Sequence, residues 1–307
     1  MLFKSAFVKR LVSCCYKAHN EVVKRLLLLA ILAIGCKQHD EAPPPTTDLI
    51  LVSPGLPPLK ALRYASAKGT KTTLELAIES RVEAGEIKST SPGLVFTLEL
   101  AIDDVAADGS MKTTSTILEL TTRATRDQPG GGHVLDEAET IKGLAITATL
   151  SPDGVLTDVK PALADRKLSE TAKAQIAQLA QALPQLAMPL PTAPVGVGAK
   201  WRSSRALAPA SPLALTAVTT IDVTAISGPV VTFVMTSTVH GADQTVTQDG
   251  VPVDVKAITG TATGTGTIDL SKIALAGKLG AELHMTMTAG GETTPMMMAI
   301  DLTTSTR

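Results

Sequence analysis

From Thr73 onward, apolar and polar residues alternate one for one over runs too long to be chance. Leu74, Leu76 and Ile78 interleave with Thr73, Glu75 and Ala77. Leu94, Phe96, Leu98, Leu100 and Ile102 interleave with Val95, Thr97, Glu99, Ala101 and Asp103. A strict period of two puts all the apolar side chains on one face of a pleated strand. The pattern returns at the other end of the chain. There Leu279, Ala281, Leu283, Met285 and Met287, then Met296, Met298, Ile300 and Leu302, alternate with Gly, Glu, His, Thr, Met, Ala and Asp. Such strands belong to an antiparallel sheet that is apolar on one side and wet on the other. Threonine is frequent at the solvent positions, where a β-branched side chain loses little on a pleated surface.

The connections carry turn chemistry. Asp108-Gly109, Pro152-Asp153-Gly154, Asp249-Gly250 and Gly290-Gly291 each lie between strand-like runs, where a tight reversal needs positive φ. These predict hairpins in an up-and-down meander. One segment departs from period two. Leu168, Ala172, Ile176, Leu179, Ala180 and Leu183 recur at three to four among Glu170, Lys173, Gln175 and Gln178, and Pro184 ends the run. The spacing predicts an amphipathic helix over about 168–183. Pro189, Pro191 and Pro194 then mark an extended linker between two strand-rich halves, 61–161 and 199–307. One narrow helical stripe cannot cover the apolar face of so large a sheet, so the sheet must curl. The expected fold is mainly β: an antiparallel meander curled into a half-barrel, a barrel or a two-layer sheet, with the helix packed on it.

The N-terminal region has another character. Lys24 and Arg25 precede an unbroken apolar run from Leu26 to Gly35, which ends at Cys36. Crossing a ~30 Å hydrocarbon core takes ~20 helical residues, so this run is too short for a permanent span. Cations, a short apolar stretch and small residues (Ala33, Gly35) before the cut are the parts of a secretory signal. The segment Leu32-Ala33-Ile34-Gly35-Cys36 resembles the lipobox of bacterial lipoproteins. That resemblance implies cleavage before Cys36, diacylglyceryl transfer to its thiol and palmitoylation of the new N-terminus. Ala33 and Ile34 are permitted rather than preferred at their positions. The alternative is a buried apolar helix. The stretch ahead of the signal, with Lys4, Lys9, Arg10, Lys17, Glu21 and the pair Cys14-Cys15, suits no signal, and we expect 1–21 to be a mis-assigned start or to be removed with residues 22–35. Residues 36–60, with Pro43-Pro44-Pro45 and Ser53-Pro54-Gly55-Leu56-Pro57-Pro58, read as a semi-rigid tether that would hold a single β-rich domain, 61–307, away from a membrane. Lys37 is not the Asp that retains some lipoproteins at the inner membrane, so the outer membrane is the preferred location.

Two further resemblances concern the body. Leu183-Pro184 through Pro194-Val195-Gly196-Val197-Gly198-Ala199-Lys200-Trp201, followed by Gly264-Thr265-Gly266-Thr267-Ile268-Asp269-Leu270, is similar to a pattern of uncharacterised envelope lipoprotein families: a helix, P-V-x-x-G-x-x-W, then a Gly-rich strand reaching an Asp. A curled sheet with helical cover is more distantly similar to the half-barrel lipoproteins that carry lipids across envelopes. That second likeness is architectural and its functional content is analogy.

Composition narrows the classes. Without residues 1–35 the chain keeps 22 Lys and Arg against 28 Asp and Glu, a net of −6, which offers no footprint for nucleic acid. No cysteine follows Cys36, so disulfides and thiolate metal sites are excluded from the body. Aromatics are 2% of the chain, too few for a sugar platform or a base-stacking surface. The histidines of the body, His39, His133, His240 and His284, fall in no His-Glu-x-x-His helix, and no Gly-x-Ser-x-Gly elbow occurs. We expect no enzyme and no cofactor. Asp103-Asp104 and Asp108-Gly109 lack the alternating ligands and terminal Glu of a calcium loop and read as a hairpin. Gly260-Thr-Ala-Thr-Gly264-Thr-Gly266 lacks the Lys-Ser/Thr of a phosphate loop; its glycines fit a bent strand or a close neighbour.

Met285, Met287, Met296 and Met298 share one face of two adjacent strands. They read as core packing, as a plastic lipophilic pocket, or as soft thioether ligands for Cu(I), with His284 on the opposite face. The expected function is a membrane-anchored, non-catalytic lipoprotein that binds or carries a lipophilic ligand. The alternatives are a structural lipoprotein contacting envelope proteins and, least, Cu(I) binding.

Overall fold

The computed structural model describes residues 48–91, 93–123, 138–162, 187–207, 213–248 and 251–307, with isolated positions between 168 and 183. Sixteen strands carry it: β1 (Asp48–Ser53), β2 (Leu56–Lys60), β3 (Lys71–Ala84), β4 (Ile87–Thr90), β5 (Gly93–Val105), β6 (Met111–Arg123), β7 (Ala145–Leu150), β8 (Leu156–Ala162), β9 (Val195–Val197), β10 (Lys200–Ala206), β11 (Leu215–Ser227), β12 (Val230–Gly241), β13 (Gln244–Gln248), β14 (Val251–Asp269), β15 (Ala274–Ala289) and β16 (Glu292–Thr306). One helical turn, α1 (Ala138–Ile141), precedes β7. Fourteen strands form one antiparallel sheet in the order β1-β10-β11-β12-β14-β15-β16-β3-β5-β6-β7-β8, with β4 on β3 and β13 on β14; β2 and β9 form a separate pair.

The mainly β, antiparallel expectation holds. Three expected hairpin turns are in place, with positive φ at Gly109, Gly154, Gly290 and Gly291. Asp249-Gly250 lies outside the described residues. The meander, however, is two meanders. β3 to β8 form one and β10 to β16 the other, and the last described strand, β16, pairs with β3 from Met296↔Ala84 to Thr306↔Leu74. The two halves are thus one sheet.

Two expectations need correction. The sheet is not a closed barrel, because β1 and β8 end it without pairing to each other. The tether does not extend to residue 60. Leu49 and Leu51 pack against the core while β1 pairs with β10, Leu51 facing Trp201, so the proline-flanked stretch 48–60 is two strands. The helix expected over 168–183 lies outside the described residues except for isolated positions, of which Leu168, Ile176 and Ala180 are buried.

The core is divided in three. The largest cluster joins Ile102 of β5, Met111 of β6 and Leu150 of β7 to Trp201 of β10, Ile221 and Val223 of β11, Val231 and Phe233 of β12 and Ile268 of β14. A flat sheet would hold β7 and β10 about 40 Å apart at ~4.8 Å per strand, so a shared core means the sheet curls until its two ends face each other. A second cluster gathers Leu98, Ile117, Leu120, Ile141, Leu144, Leu168 and Ile176 over β5 and β6. A third sits at the far end of β14 and β15, with Leu215, Val253, Val255, Ile258 and Met285.

The glycines of β14 are explained by their cross-strand neighbours. Gly266 faces Phe233 and Gly264 faces Met235, and a Cβ at either place would lie 3.0 and 3.2 Å from those side chains. At Gly260 it would meet the Glu282 carbonyl at 2.7 Å and Leu283 at 2.9 Å. Larger side chains from β12 and β15 lie over the bare backbone, while Thr259, Thr261, Thr263 and Thr265 face solvent.

The segment between β2 and β3 is held as firmly as any strand. Tyr64 is fully buried, donates its hydroxyl to the Met188 carbonyl at 3.1 Å, and its N–H bonds the Pro152 carbonyl at 2.8 Å. Burial raises the Tyr64 hydroxyl pKa well above its ordinary value, and the bond to Met188 offsets this only in part. A tyrosine in the unfolded chain ionises near ~10, whereas the native one keeps its proton, so above that pH the unfolded state binds fewer protons. Stability should therefore fall from about pH 10 upward, by up to ~1.4 kcal/mol per pH unit from this group. Tyr64→Phe should flatten that slope in pH-dependent urea unfolding. The same slope in both proteins would overturn the assignment.

Candidate functional site

The inner face of the curled sheet is the place to look for a ligand, because its middle is apolar without being closed. β15, β16 and β3 present rows fixed by register: Leu279, Leu302 and Ile78; Ala281, Ile300 and Ser80; Leu283, Met298 and Val82. Leu279, Met298, Ile300, Leu302, Ile78 and Val82 are each only partly buried and belong to none of the three clusters. The field spans roughly 10 Å across the strands and 13 Å along them. Its one polar break is Ser80, buried, whose Oγ lies 2.6 Å from Ser91 Oγ, so the hydroxyls satisfy each other.

The four methionines do share that face. Met285 lies opposite Met296, and Met298 opposite Leu283. Met285 is buried, and Met287 and Met296 pack beside it against Val253, Val255, Ile258 and Leu215. Met298 sits one pair along, in the open field. Thioethers here extend a hydrocarbon cluster, as a flexible unbranched side chain does where packing is irregular. His284 projects to the outer face near Glu282, 3.8 Å away.

Other candidates resolve into local structure. His240 is exposed at the end of β12; His39 and His133 lie outside the described residues. In the Asp103–Asp108 hairpin each carboxylate has its own partner. Asp103 accepts from Thr114 Oγ1 at 2.6 Å, Asp104 from Lys68 at 3.1 Å, and Asp108 from the Ser110 N–H at 2.9 Å. The Lys68 ammonium lowers the Asp104 pKa, and the Ser110 hydroxyl and N–H do the same for Asp108. Among the described residues no three His, Cys, Asp or Glu side chains converge as a metal site would need. No helix there is long and apolar enough to cross a membrane.

The P-V-x-x-G-x-x-W segment is structural. Val195, Ala199 and Trp201 are fully buried, Gly196 passes so close to the Leu56 carbonyl that a Cβ would lie 1.9 Å from it, and Trp201 Nε1 donates to the Pro189 carbonyl at 3.0 Å. The Asp that ends the Gly-rich strand, Asp269, accepts from the Ser271 N–H and hydroxyl at 3.0 and 2.6 Å and shapes a turn. Cys36 lies outside the described residues.

Two concavities lie elsewhere among the described residues. A cleft of about 440 Å³ opens between residues 63–67 and the β5–β6 hairpin, lined by Arg63, Tyr64, Ser66, Val105, Met111 and Pro152. A shallow outer groove of about 210 Å³ crosses Gly280 and Ala299 between Arg81, Glu282 and Asp301. Neither brings a nucleophile and a base together. The sequence reading did not find the segment around Tyr64, since a lone aromatic among Ala, Ser and Arg carries no periodic signal.

No protein-family model matches this chain, and a comparison with curated proteins finds no match.

Proposed function

We propose that this chain is a non-catalytic envelope lipoprotein, anchored through Cys36, that carries a lipophilic ligand on the inner face of its sheet. The observation that supports it is the field of Leu279, Met298, Ile300, Leu302, Ile78 and Val82, apolar, continuous by register and left partly open between three closed clusters. An apolar trough with almost no aromatic bulk accepts a flexible hydrocarbon without demanding a shape. In this reading the body is a half-barrel with residues 168–183 as a helix along its trough. The anchor holds it at the outer membrane, close to a supply of lipid.

The purified lipoprotein should therefore retain extractable lipid beyond its own anchor, seen by native mass spectrometry. Ile300→Glu, in the middle of the field, should abolish that lipid and leave the far-UV spectrum unchanged. Thr303→Glu, exposed on the other face of the same strand, should keep it. A folded wild-type protein that carries no lipid would end the carrier reading and favour a structural role.

A further inference from the structure

A second apolar surface lies where the anchor would place it. Ile50, Val52, Leu56, Leu59 and Val197 are between 42% and 70% exposed, and they are five of the eleven large hydrophobic residues exposed among the described residues. The other six fall on six different elements or turns. These five belong to β1, β2 and β9, joined by the turn at Pro54-Gly55 and by the pairing of Leu56 with Val197. Single exposed hydrophobics are ordinary, but a cluster of this kind marks a surface that meets something.

The turn that presents the patch is tightly fixed. Gly55 has φ +78°, and a Cβ there would lie 2.6 Å from both the Ala199 N and the Gly196 carbonyl. The Gly196 N–H donates to the Pro54 carbonyl at 2.8 Å. Leu56 and its neighbours are therefore displayed by a rigid backbone. Cations stand beside them. Arg202, exposed, is directly opposite Ile50, and Lys60, also exposed, closes β2.

Chain length supplies the occupant. Asp48, the first residue of β1, is twelve residues from Cys36. Fully extended, twelve residues reach about 40 Å, and any shorter path brings the patch nearer. The described element closest in sequence to the anchor is thus the one that exposes Ile50 and Val52. We infer that the β1–β2–β9 surface is a membrane-docking face: Ile50, Val52, Leu56, Leu59 and Val197 enter the headgroup and upper acyl region while Lys60 and Arg202 meet anionic headgroups. An amphipathic surface of this kind adds a second attachment to one already made by acyl chains. The inference rests on lipidation of Cys36 and fixes how the anchored body lies.

The test uses the mature lipoprotein, in which an introduced cysteine is the only free thiol once Cys36 is acylated. Leu56→Cys and, separately, Ile87→Cys, an exposed position in β4, are labelled with a fluorophore. Each protein is reconstituted into phosphatidylethanolamine–phosphatidylglycerol vesicles containing a doxyl-lipid quencher. Docking predicts loss of most of the emission at residue 56 and little at residue 87. Val52→Cys, on the neighbouring strand, should behave as residue 56 does. The intact mass reports acylation independently. An acylated protein whose residue 56 is as unquenched as residue 87 overturns the docking face alone, and this is also what burial against a second copy or a protein partner would give. An unacylated chain overturns the anchor and the docking together.

Discussion

Replacing Trp201 by alanine is expected to lower the free energy of unfolding by about 3–5 kcal/mol. Trp201 is fully buried at the centre of the cluster that joins the two ends of the sheet. Removing the indole opens a cavity between β10 and the strands facing it and leaves the Pro189 carbonyl without its donor. With a typical margin of ~5–15 kcal/mol, this is a large share of the whole. Trp201→Phe keeps much of the volume and should cost only ~1–3 kcal/mol, chiefly the unpaired carbonyl. Urea unfolding followed by far-UV circular dichroism reads both, since the chain has no other tryptophan to report by fluorescence. Equal, small losses in the two variants would show that the sheet is not closed around this residue.

Gly154→Ala should be nearly as damaging although it adds one methyl group. The turn between β7 and β8 clasps two remote segments. The Pro152 carbonyl takes the Tyr64 N–H, the Asp153 carbonyl takes the Leu190 N–H, and Gly154 passes between Tyr64 and Met188 with φ +85°. A Cβ would stand 2.3 Å from the Met188 oxygen and 2.7 Å from Tyr64 Cε2. Backbone strain of ~1–3 kcal/mol and overpacking of ~1–3 kcal/mol act together. Gly69→Ala supplies the control. Its φ is +84° with open space around it, so it incurs only the conformational cost. A similar loss at both positions would mean the clasp does not contribute.

Alternation of Leu, Ile and Met with Thr and Glu made β3, β5, β15 and β16 legible before any coordinates, and Asp-Gly and Gly-Gly marked their turns. Those signals are local. β16 beside β3 was not legible, because pairing of the last strand with one near the start depends on which edges remain free once each meander has formed. β1 and β2 were hidden by proline. Pro54, Pro57 and Pro58 suggest an extended spacer, yet Pro54 falls in the turn between the strands and Pro57 and Pro58 in a two-strand pair, where few N–H groups are needed. The apolar residues of the candidate trough were legible as one face, but alternation does not separate a filled face from an open one. That distinction came from the clusters, which take in Met285, Met287 and Met296 and leave Met298 and Ile300 out.

β16 comes after every other described strand in sequence, yet it sits in the interior of the sheet, flanked by β15 and β3. A polypeptide delivered from its N-terminus therefore holds two separate ribbons, each with a bare hydrogen-bonding edge, until the fifteen residues of β16 arrive. Only then is the seam sewn. Loss of a whole strand trims an edge in most β proteins; loss of β16 would open this sheet between β15 and β3.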